Sequence, residues 1–191
     1  MLERIWSAWR SAYVSGASVR SESATSSSEP DVSGPGISGP GISGPGISGS
    51  VFTRLLRSGA SDTETYIVHR STTCFALCNL FPYASGHLLV VPYREVADLD
   101  WLTPEETTDL WATVTEAVRV MRNVYRPDGL NVGLNLGRPA GGSVPDHLHV
   151  HVVPRWTGDS NFMAAISNTR NLPEALVDTA SKLRAGWSAV A

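Results

Sequence analysis

Three histidines alternate with aliphatic residues in the segment His147-Leu148-His149-Val150-His151-Val152-Val153. Successive side chains of an extended strand point to opposite faces, so the segment predicts a strand with three imidazoles on one face. Leu148, Val150 and Val152 would then face a core. Imidazole changes protonation near neutral pH and is a common zinc ligand. The row therefore indicates either a metal site, a nucleophile with its partners, or a set of solvated or core-packed histidines, and strict alternation disfavours the last.

A glycine-rich polar run precedes the histidines, from Asn135 to Asp146. Glycine allows close approach of a ligand to the backbone, and consecutive N–H groups form an anion-binding concavity. Ser143 adds a hydroxyl group and Asn135 an amide. A zinc site would usually recruit a further Cys, Asp or Glu, and only Asp146 is adjacent, on the opposite pleat. The run therefore favours a phosphate site beside a nucleophile, while a plain hairpin turn remains the simpler alternative.

These residues amount to a family resemblance. His147 to Val153 resembles the signature of the histidine triad superfamily of nucleotide hydrolases and transferases. The stretch that follows, Pro154-Arg155-Trp156 with Gly158-Asp159 and Asn161-Phe162-Met163, resembles the actinobacterial diadenosine tetraphosphate phosphorylase branch. A second block, Leu77 to Pro92, contains an Asn followed by a Gly-His pair and looks like the superfamily's other motif. The resemblance covers about residues 51 to 187, with a weaker match at residues 2 to 13.

The resemblance implies a mechanism in which His149 attacks the α-phosphorus of a nucleotide. A covalent nucleotidyl-histidine divides one difficult displacement into two easier ones. The attacking nitrogen must be unprotonated, and a hydrogen bond from the other ring nitrogen to a backbone carbonyl would fix this tautomer. His147, His151 and His87 would surround the phosphate oxygens and, where protonated, balance developing charge. No metal is required in such a scheme.

The resemblance also implies the acceptor. Hydrolase branches usually carry a glutamine four residues before the triad, where this chain has Ser143. In the phosphorylase branch the corresponding Asn, Gly and Ser hold inorganic phosphate, which points here to Asn135, Gly142 and Ser143. The expected reaction is cleavage of diadenosine tetraphosphate with inorganic phosphate to ATP and ADP.

The resemblance implies less specific roles for three further residues. Asn79 corresponds to a residue that contacts the ribose. Phe81 and Trp156 are aromatic and could border the adenine, although ordinary core packing is the alternative for both. A buried Trp usually needs a partner for its N–H group.

Two rival functions stay open. One is another enzyme of the same superfamily, namely a dinucleoside polyphosphate hydrolase or a nucleoside phosphoramidase. The other is a nucleotide-binding module without catalysis, against which the intact His149 argues. A metal-binding protein held together by the three histidines is a distant third.

Composition limits the partners and the location. A net charge of −3 over 191 residues offers no electrostatic footprint for nucleic acid. No run reaches the roughly 18 apolar residues that span a bilayer. The start, Met1 to Trp6, lacks the pattern of a signal peptide, and Cys74 and Cys78 suit two buried thiols on one strand face rather than a disulfide framework. We therefore expect a cytoplasmic protein without membrane contact.

Three regions are predicted along the chain. Residues 1–15 form an N-terminal helix, with Leu2, Ile5, Trp6 and Trp9 at helical spacing. Residues 16–50 form a disordered linker that is rich in Ser, Gly and Pro and repeats Ser-Gly-Pro-Gly-Ile three times. Residues 51–191 form the catalytic domain. The related branch usually carries a Cys-x-x-Cys pair near the linker that binds zinc with histidines, and its absence here speaks against a structural zinc.

The coarse pattern predicts an α+β fold with an antiparallel sheet. Thr103-Pro104-Glu105-Glu106 is a capping box that opens a long helix to about Val124. The apolar stripe of that helix is Leu110, Val114, Ala117, Val118 and Met121. The predicted strands are Thr65–His69, Thr73–Leu77, Gly86–Pro92, Leu130–Leu136 and His147–Pro154, and further helices are predicted at Val51–Arg57 and Pro173–Trp187. The resemblance implies a sheet of about five strands that continues through a homodimer, with a tetramer formed by two such dimers as the alternative.

Overall fold

The computed structural model describes residues 48–159 and 174–190. Several predictions fall outside these residues: the N-terminal helix, the linker as far as residue 47, Pro173 at the predicted start of the terminal helix, and the segment Asn161 to Met163. The domain boundaries at residues 15 and 50 stay predictions on that account. The described residues form a β-sheet with helices on both of its faces.

Five strands form one antiparallel sheet in the order β1-β2-β3-β5-β4. They are β1 Ile67–Arg70, β2 Cys74–Cys78, β3 Leu88–Pro92, β4 Gly129–Leu134 and β5 Val150–Arg155. β5, which carries His151, lies between β3 and β4 and is therefore an interior strand of the sheet. The predicted α+β fold with a five-stranded antiparallel sheet is confirmed, whereas dimerisation stays a prediction.

Three α-helices accompany the sheet: α1 Val51–Arg57, α2 Pro104–Tyr125 and α3 Leu176–Ser188. The predicted capping box at the start of α2 is present, since Thr103 and Glu106 each accept a hydrogen bond from the other's backbone. Short 3-10 turns occur at Leu99–Trp101 and Arg138–Ala140. Among the helices of residues 48–159 and 174–190, none is both long and apolar enough to cross a bilayer.

The two faces of the sheet bury different clusters. On the face that we call the helix face, α2 and α3 cover a large apolar cluster that includes both cysteines. On the opposite face, which we call the histidine face, α1 covers a smaller cluster: Phe52, Leu55, Ile67, Phe75, Leu77, Leu89 and Val91. The prediction of two buried thiols on one side is confirmed, because Cys74 and Cys78 are both free and buried there.

The histidine row differs from the sequence prediction in where its strand begins. β5 begins at Val150 instead of His147, because the amide of Leu148 donates to the carbonyl of Val96 at 2.6 Å, beyond the end of β3. β4 offers no ladder there either, since its pairing with β5 ends at Leu134 opposite Val150. The predicted alternation nevertheless persists, and Leu148, Val150 and Val152 all lie in the helix-face cluster.

Candidate active site

Four histidine rings lie together on the histidine face. The ring centroids of His149 and His151 are 5.0 Å apart, and those of His87 and His151 are 5.1 Å apart. Phe52 of α1 contacts His147 and His149 at centroid distances of 5.3 and 5.4 Å. His87 precedes β3 and the other three precede or begin β5, so the pairing of these two strands brings the cluster together.

The ring of His149 is fixed in one tautomer. Its Nδ1 lies 2.8 Å from the backbone oxygen of His147. A carbonyl can only accept, so Nδ1 carries the hydrogen and donates it. In neutral imidazole the other nitrogen, Nε2, then carries the lone pair. This is the backbone hydrogen bond that the sequence analysis expected, and it leaves His149 with an unprotonated Nε2.

A second series of hydrogen bonds fixes His151 in the opposite tautomer. The Nδ1 atom of His87 accepts from the Tyr83 amide at 3.0 Å and faces Nδ2 of Asn79 at 3.3 Å. The Nε2–H group of His87 must therefore donate to Nδ1 of His151, at 2.9 Å. His151 consequently carries its hydrogen on Nε2, a buried atom with no hydrogen-bond partner among the described residues. The pair of neighbouring rings thus presents one lone pair and one N–H group.

His147 has a different environment from the one predicted. Its side chain is fully buried. Its Nε2–H donates to the Pro92 carbonyl at 2.8 Å, and its Nδ1 lies 2.6 Å from the hydroxyl of Ser50. Since protein groups occupy both ring nitrogens, His147 does not face phosphate oxygens as expected. It contributes its backbone oxygen to His149 instead.

The three histidines of the row are neutral in the free protein. Burial lowers the pKa of His147 and His149, and it lowers the pKa of His151 to about 4, with the neighbouring His149 adding to the effect. Near pH 7 these shifts favour the neutral form of all three rings when no ligand is bound. The balancing of developing charge by protonated histidines stays a prediction.

The glycine-rich run forms a compact turn before His147. Gly137 and Gly141 have φ of 76° and 95°, which side chains disfavour. A Cβ atom at Gly142 would lie 3.1 Å from the Gly137 oxygen and 3.6 Å from the Asn135 oxygen, so a side chain here would crowd the backbone of the turn. The turn brings Gly142 against the backbone of Asn135, and Ser143 beside it is exposed. Two of the three predicted phosphate ligands therefore lie together.

The three residues predicted to contact the nucleotide lie in different environments. Phe81 is 52% exposed, which rules out core packing and leaves its ring accessible to a ligand. Asn79 accepts from the Phe81 amide at 3.1 Å and faces His87, so its amide shapes this loop. Trp156 packs edge-on against Tyr125, at a centroid distance of 6.3 Å. At about 3.3 Å per residue it lies roughly 16 Å along the strand from His151, so the structure does not bring Trp156 to the histidines.

Two residues of the site were not among those predicted from the sequence. Tyr83 places its ring 4.6 Å from His87 and 5.9 Å from His151, the latter nearly parallel. Ser50, which lies at the end of the predicted linker, caps α1 and contacts His147. The spacing of Ser50 and Thr53 before an apolar helix was a capping signal that could have shown it.

No three His, Cys, Asp or Glu side chains within residues 48–159 and 174–190 are grouped as a metal site. The distant alternative of a zinc held by the histidine row finds no support in this geometry, because His147 is bonded to protein at both nitrogens. The expectation that the reaction needs no cofactor stays a prediction.

Comparisons with known proteins agree with the site. The HIT domain model matches residues 60–158. A Mycobacterium tuberculosis protein named AP-4-A phosphorylase is 40% identical over 187 residues, covering 98% of this chain and 85% of its own. A Schizosaccharomyces pombe protein named asymmetrical bis(5'-nucleosyl)-tetraphosphatase is 40% identical over 93 residues, or 49% of this chain and 50% of its own.

Solved structures support the same assignment. A zinc-bound histidine triad family protein from Mycobacterium smegmatis has 27% identity and a TM-score of 0.60, covering 74% of this chain and 94% of its own. A Hit-like protein from Bartonella henselae has 25% identity and a TM-score of 0.59, covering 72% and 95%. With the fold, the four-histidine cluster and these similarities together, the chain belongs to the histidine triad (HIT) family.

Proposed function

We propose that this protein cleaves diadenosine tetraphosphate with inorganic phosphate, giving ATP and ADP through an adenylyl group on His149. The similarity to the M. tuberculosis protein named AP-4-A phosphorylase extends over nearly the whole chain and supports an enzyme of this kind. The site supports nucleotidyl transfer through its own geometry.

The observation that carries the proposal is the opposed tautomers of His149 and His151. His149 holds its hydrogen on Nδ1, so Nε2 can act as a nucleophile. His151 holds its hydrogen on Nε2, where it is buried with no partner among the described residues. A buried donor without a partner is costly, and an oxygen of a bound phosphate chain would satisfy it. One site therefore offers an attacking lone pair next to a hydrogen-bond donor.

In the first step Nε2 of His149 forms a bond to the α-phosphorus, and the bond between that phosphorus and the bridging oxygen breaks. The electron pair of the broken bond leaves with ATP, and the Nε2–H group of His151 stabilises the departing oxygen. The substituted His149 ring becomes positively charged. The His147 carbonyl, 2.8 Å from Nδ1, then stabilises this cation through a charge-assisted hydrogen bond.

In the second step an oxygen of inorganic phosphate attacks the same phosphorus. The bond between phosphorus and Nε2 breaks, its electron pair returns to His149, and ADP is released. Asn135, Gly142 and Ser143 are the proposed phosphate ligands. The compact turn that places Gly142 against Asn135, with Ser143 exposed beside it, supports this assignment.

Hydrolysis is the second candidate, and the similarity to the S. pombe protein named a tetraphosphatase favours it. Water would then replace phosphate in the second step, and the products would be AMP and ATP. The first step would be unchanged. The two functions therefore differ only in the group that attacks the adenylyl-histidine.

An isotope experiment separates the two. The full-length protein is incubated with diadenosine tetraphosphate, with and without ¹⁸O-labelled inorganic phosphate, and the products are resolved by mass spectrometry. Phosphorolysis predicts ATP plus ADP labelled at its β-phosphate, and little turnover without phosphate. Unlabelled AMP plus ATP, formed at the same rate with or without phosphate, would contradict it.

The same assay tests the phosphate ligands. Loss of one hydrogen bond to a charged ligand in the variant Ser143→Ala should raise the KM for phosphate roughly tenfold or more. The KM for the dinucleotide should change little. Ser181→Ala, an exposed serine in α3, is the matched control and should match the wild type.

A further inference from the structure

A hydrogen-bond network at the start of α1 holds the ring of His147. It contains Ser50, Thr53 and Glu95, of which Glu95 follows the end of β3. The Ser50 hydroxyl is 2.6 Å from Nδ1 of His147 and 3.2 Å from the Thr53 hydroxyl. Oε2 of Glu95 accepts from the Ser50 amide at 2.9 Å and from the Thr53 hydroxyl at 2.5 Å. These four residues, which we call the His147 network, join three separate parts of the chain.

The donors and acceptors of this network have only one consistent arrangement. Nε2 of His147 carries its hydrogen, because it donates to the Pro92 carbonyl, so Nδ1 must accept. The Thr53 hydroxyl donates to the Glu95 carboxylate, and the Ser50 hydroxyl is therefore left to donate to His147. The Ser50 oxygen also accepts from the Thr53 amide at 3.1 Å, which is its role as N-cap. Every bond in the network thus helps to fix the next.

The network reaches the nucleophile through the backbone of His147. The ring of His147 is bonded on one side to α1 and on the other to the end of β3, which fixes the residue in place. Its carbonyl oxygen accepts the Nδ1–H of His149. Phe52, between Ser50 and Thr53 in sequence, packs against both rings. A shift of α1 would therefore move the group that orients His149.

We infer that Ser50, Thr53 and Glu95 are positioning residues that orient His149 through His147. The inference rests on the proposed function only in naming His149 as the nucleophile. Reaction rates fall steeply when the reacting atoms are misplaced by a fraction of an ångström to an ångström. Loss of the network should therefore reduce the rate of the chemical step rather than substrate binding.

Kinetics of the full-length enzyme test this with matched variants. Ser50→Ala and Glu95→Ala should each lower kcat roughly ten- to hundredfold, with KM within about twofold of wild type. Ser50→Thr keeps the hydroxyl and should restore most of the rate. Thr103→Ala is the control, because it removes the N-cap of α2 as Ser50→Ala removes that of α1, but touches no histidine. It should leave kcat unchanged.

A substrate-free measurement separates this inference from the proposed reaction. In ¹⁵N NMR spectra of the imidazole groups, Ser50→Ala should shift the Nδ1 resonance of His147 and make the Nδ1–H of His149 exchange faster with water. These signals report the network even if the reaction is hydrolysis or the substrate is a different nucleotide. An unchanged His149 signal in Ser50→Ala and Glu95→Ala would overturn the inference, whatever happens to kcat. A loss of kcat in Thr103→Ala equal to that in Ser50→Ala would overturn it as well.

Discussion

The two faces of the sheet have the same strand alternation and opposite chemistry. The helix face buries Cys74 and Cys78 under α2 and α3, and burial raises the pKa of each thiol to about 12. The histidine face buries His147 and His149 beneath α1, and burial lowers the pKa of both rings. On both faces burial keeps the ionisable group neutral.

The difference lies in where the atoms of these groups point. Cys74 directs its sulfur at Thr113, 3.3 Å away, and both cysteines lie within an apolar cluster. His149 has one nitrogen bonded to a carbonyl and the other carrying a lone pair. We therefore expect the buried cysteines to be inert, whereas buried His149 presents the lone pair that the proposed nucleophile requires. A neutral thiol keeps its hydrogen on sulfur, whereas neutral imidazole has a free lone pair, which the hydrogen bond from Nδ1 places on Nε2 of His149.

The largest effect should follow from His149→Ala. Removing the nucleophile should lower turnover of diadenosine tetraphosphate by at least about three orders of magnitude. The protein should stay folded, which circular dichroism checks. A second measurement traps the intermediate by rapid denaturation at alkaline pH during turnover without phosphate. Intact mass spectrometry should then detect one adenylyl group on the wild type and none on the variant. Turnover by His149→Ala at the wild-type rate would disprove the nucleophile.

The reciprocal control lies on the helix face. Leu110 is fully buried against the sheet, so Leu110→Ala should lower the free energy of unfolding by about 2–5 kcal/mol. Its kcat should remain close to wild type at a temperature where it is folded, because Leu110 belongs to the other face. If kcat fell as far as in His149→Ala, the functional separation of the two faces would be wrong.

A smaller effect is expected from pH. The folded pKa of His151, about 4, lies below the ordinary value of 6.5, so the unfolded chain binds the proton first as pH falls. Stability from this group is complete above about pH 6.5 and is lost progressively towards pH 4. The slope is at most about 1.4 kcal/mol per pH unit for one histidine. Urea unfolding between pH 7 and 4 should show a shallower decline in His151→Gln, whereas Leu110→Ala should shift the whole curve without changing its slope.

Patterns local in sequence were sufficient to predict much of the molecule. The period-two alternation predicted which side chains of β5 face the core, and the capping box predicted the start of α2. The glycine run predicted a turn, because the φ angles at Gly137 and Gly141 need glycine. These features depend on neighbours within a few residues and so are visible in a single sequence.

Contacts between distant residues were not predictable in the same way. Ser50 and His147 are 97 positions apart in the sequence, so no local pattern indicates their contact. Judged from its neighbours alone, Ser50 resembled the end of a linker. The different role of His147 depends on Pro92 and Ser50 approaching its two nitrogens. The start of β5 depends on Val96 capturing the Leu148 amide. Each of these depends on where tertiary packing places a partner, which periodicity and motifs do not specify.

The smallest effect should come from the cysteines. Cys74 and Cys78 are 0% and 2% exposed, and only a thiolate reacts readily with disulfide or alkylating reagents. Folded protein at pH 8 should therefore keep full activity during prolonged treatment with a thiol reagent, and both thiols should react once urea unfolds it. Mass spectrometry counts the modified residues before and after unfolding. Fast labelling of folded protein with loss of activity would show that the helix face opens on the timescale of the reaction. The two faces would then differ in how often solvent reaches them, and not in the reactivity of their buried groups.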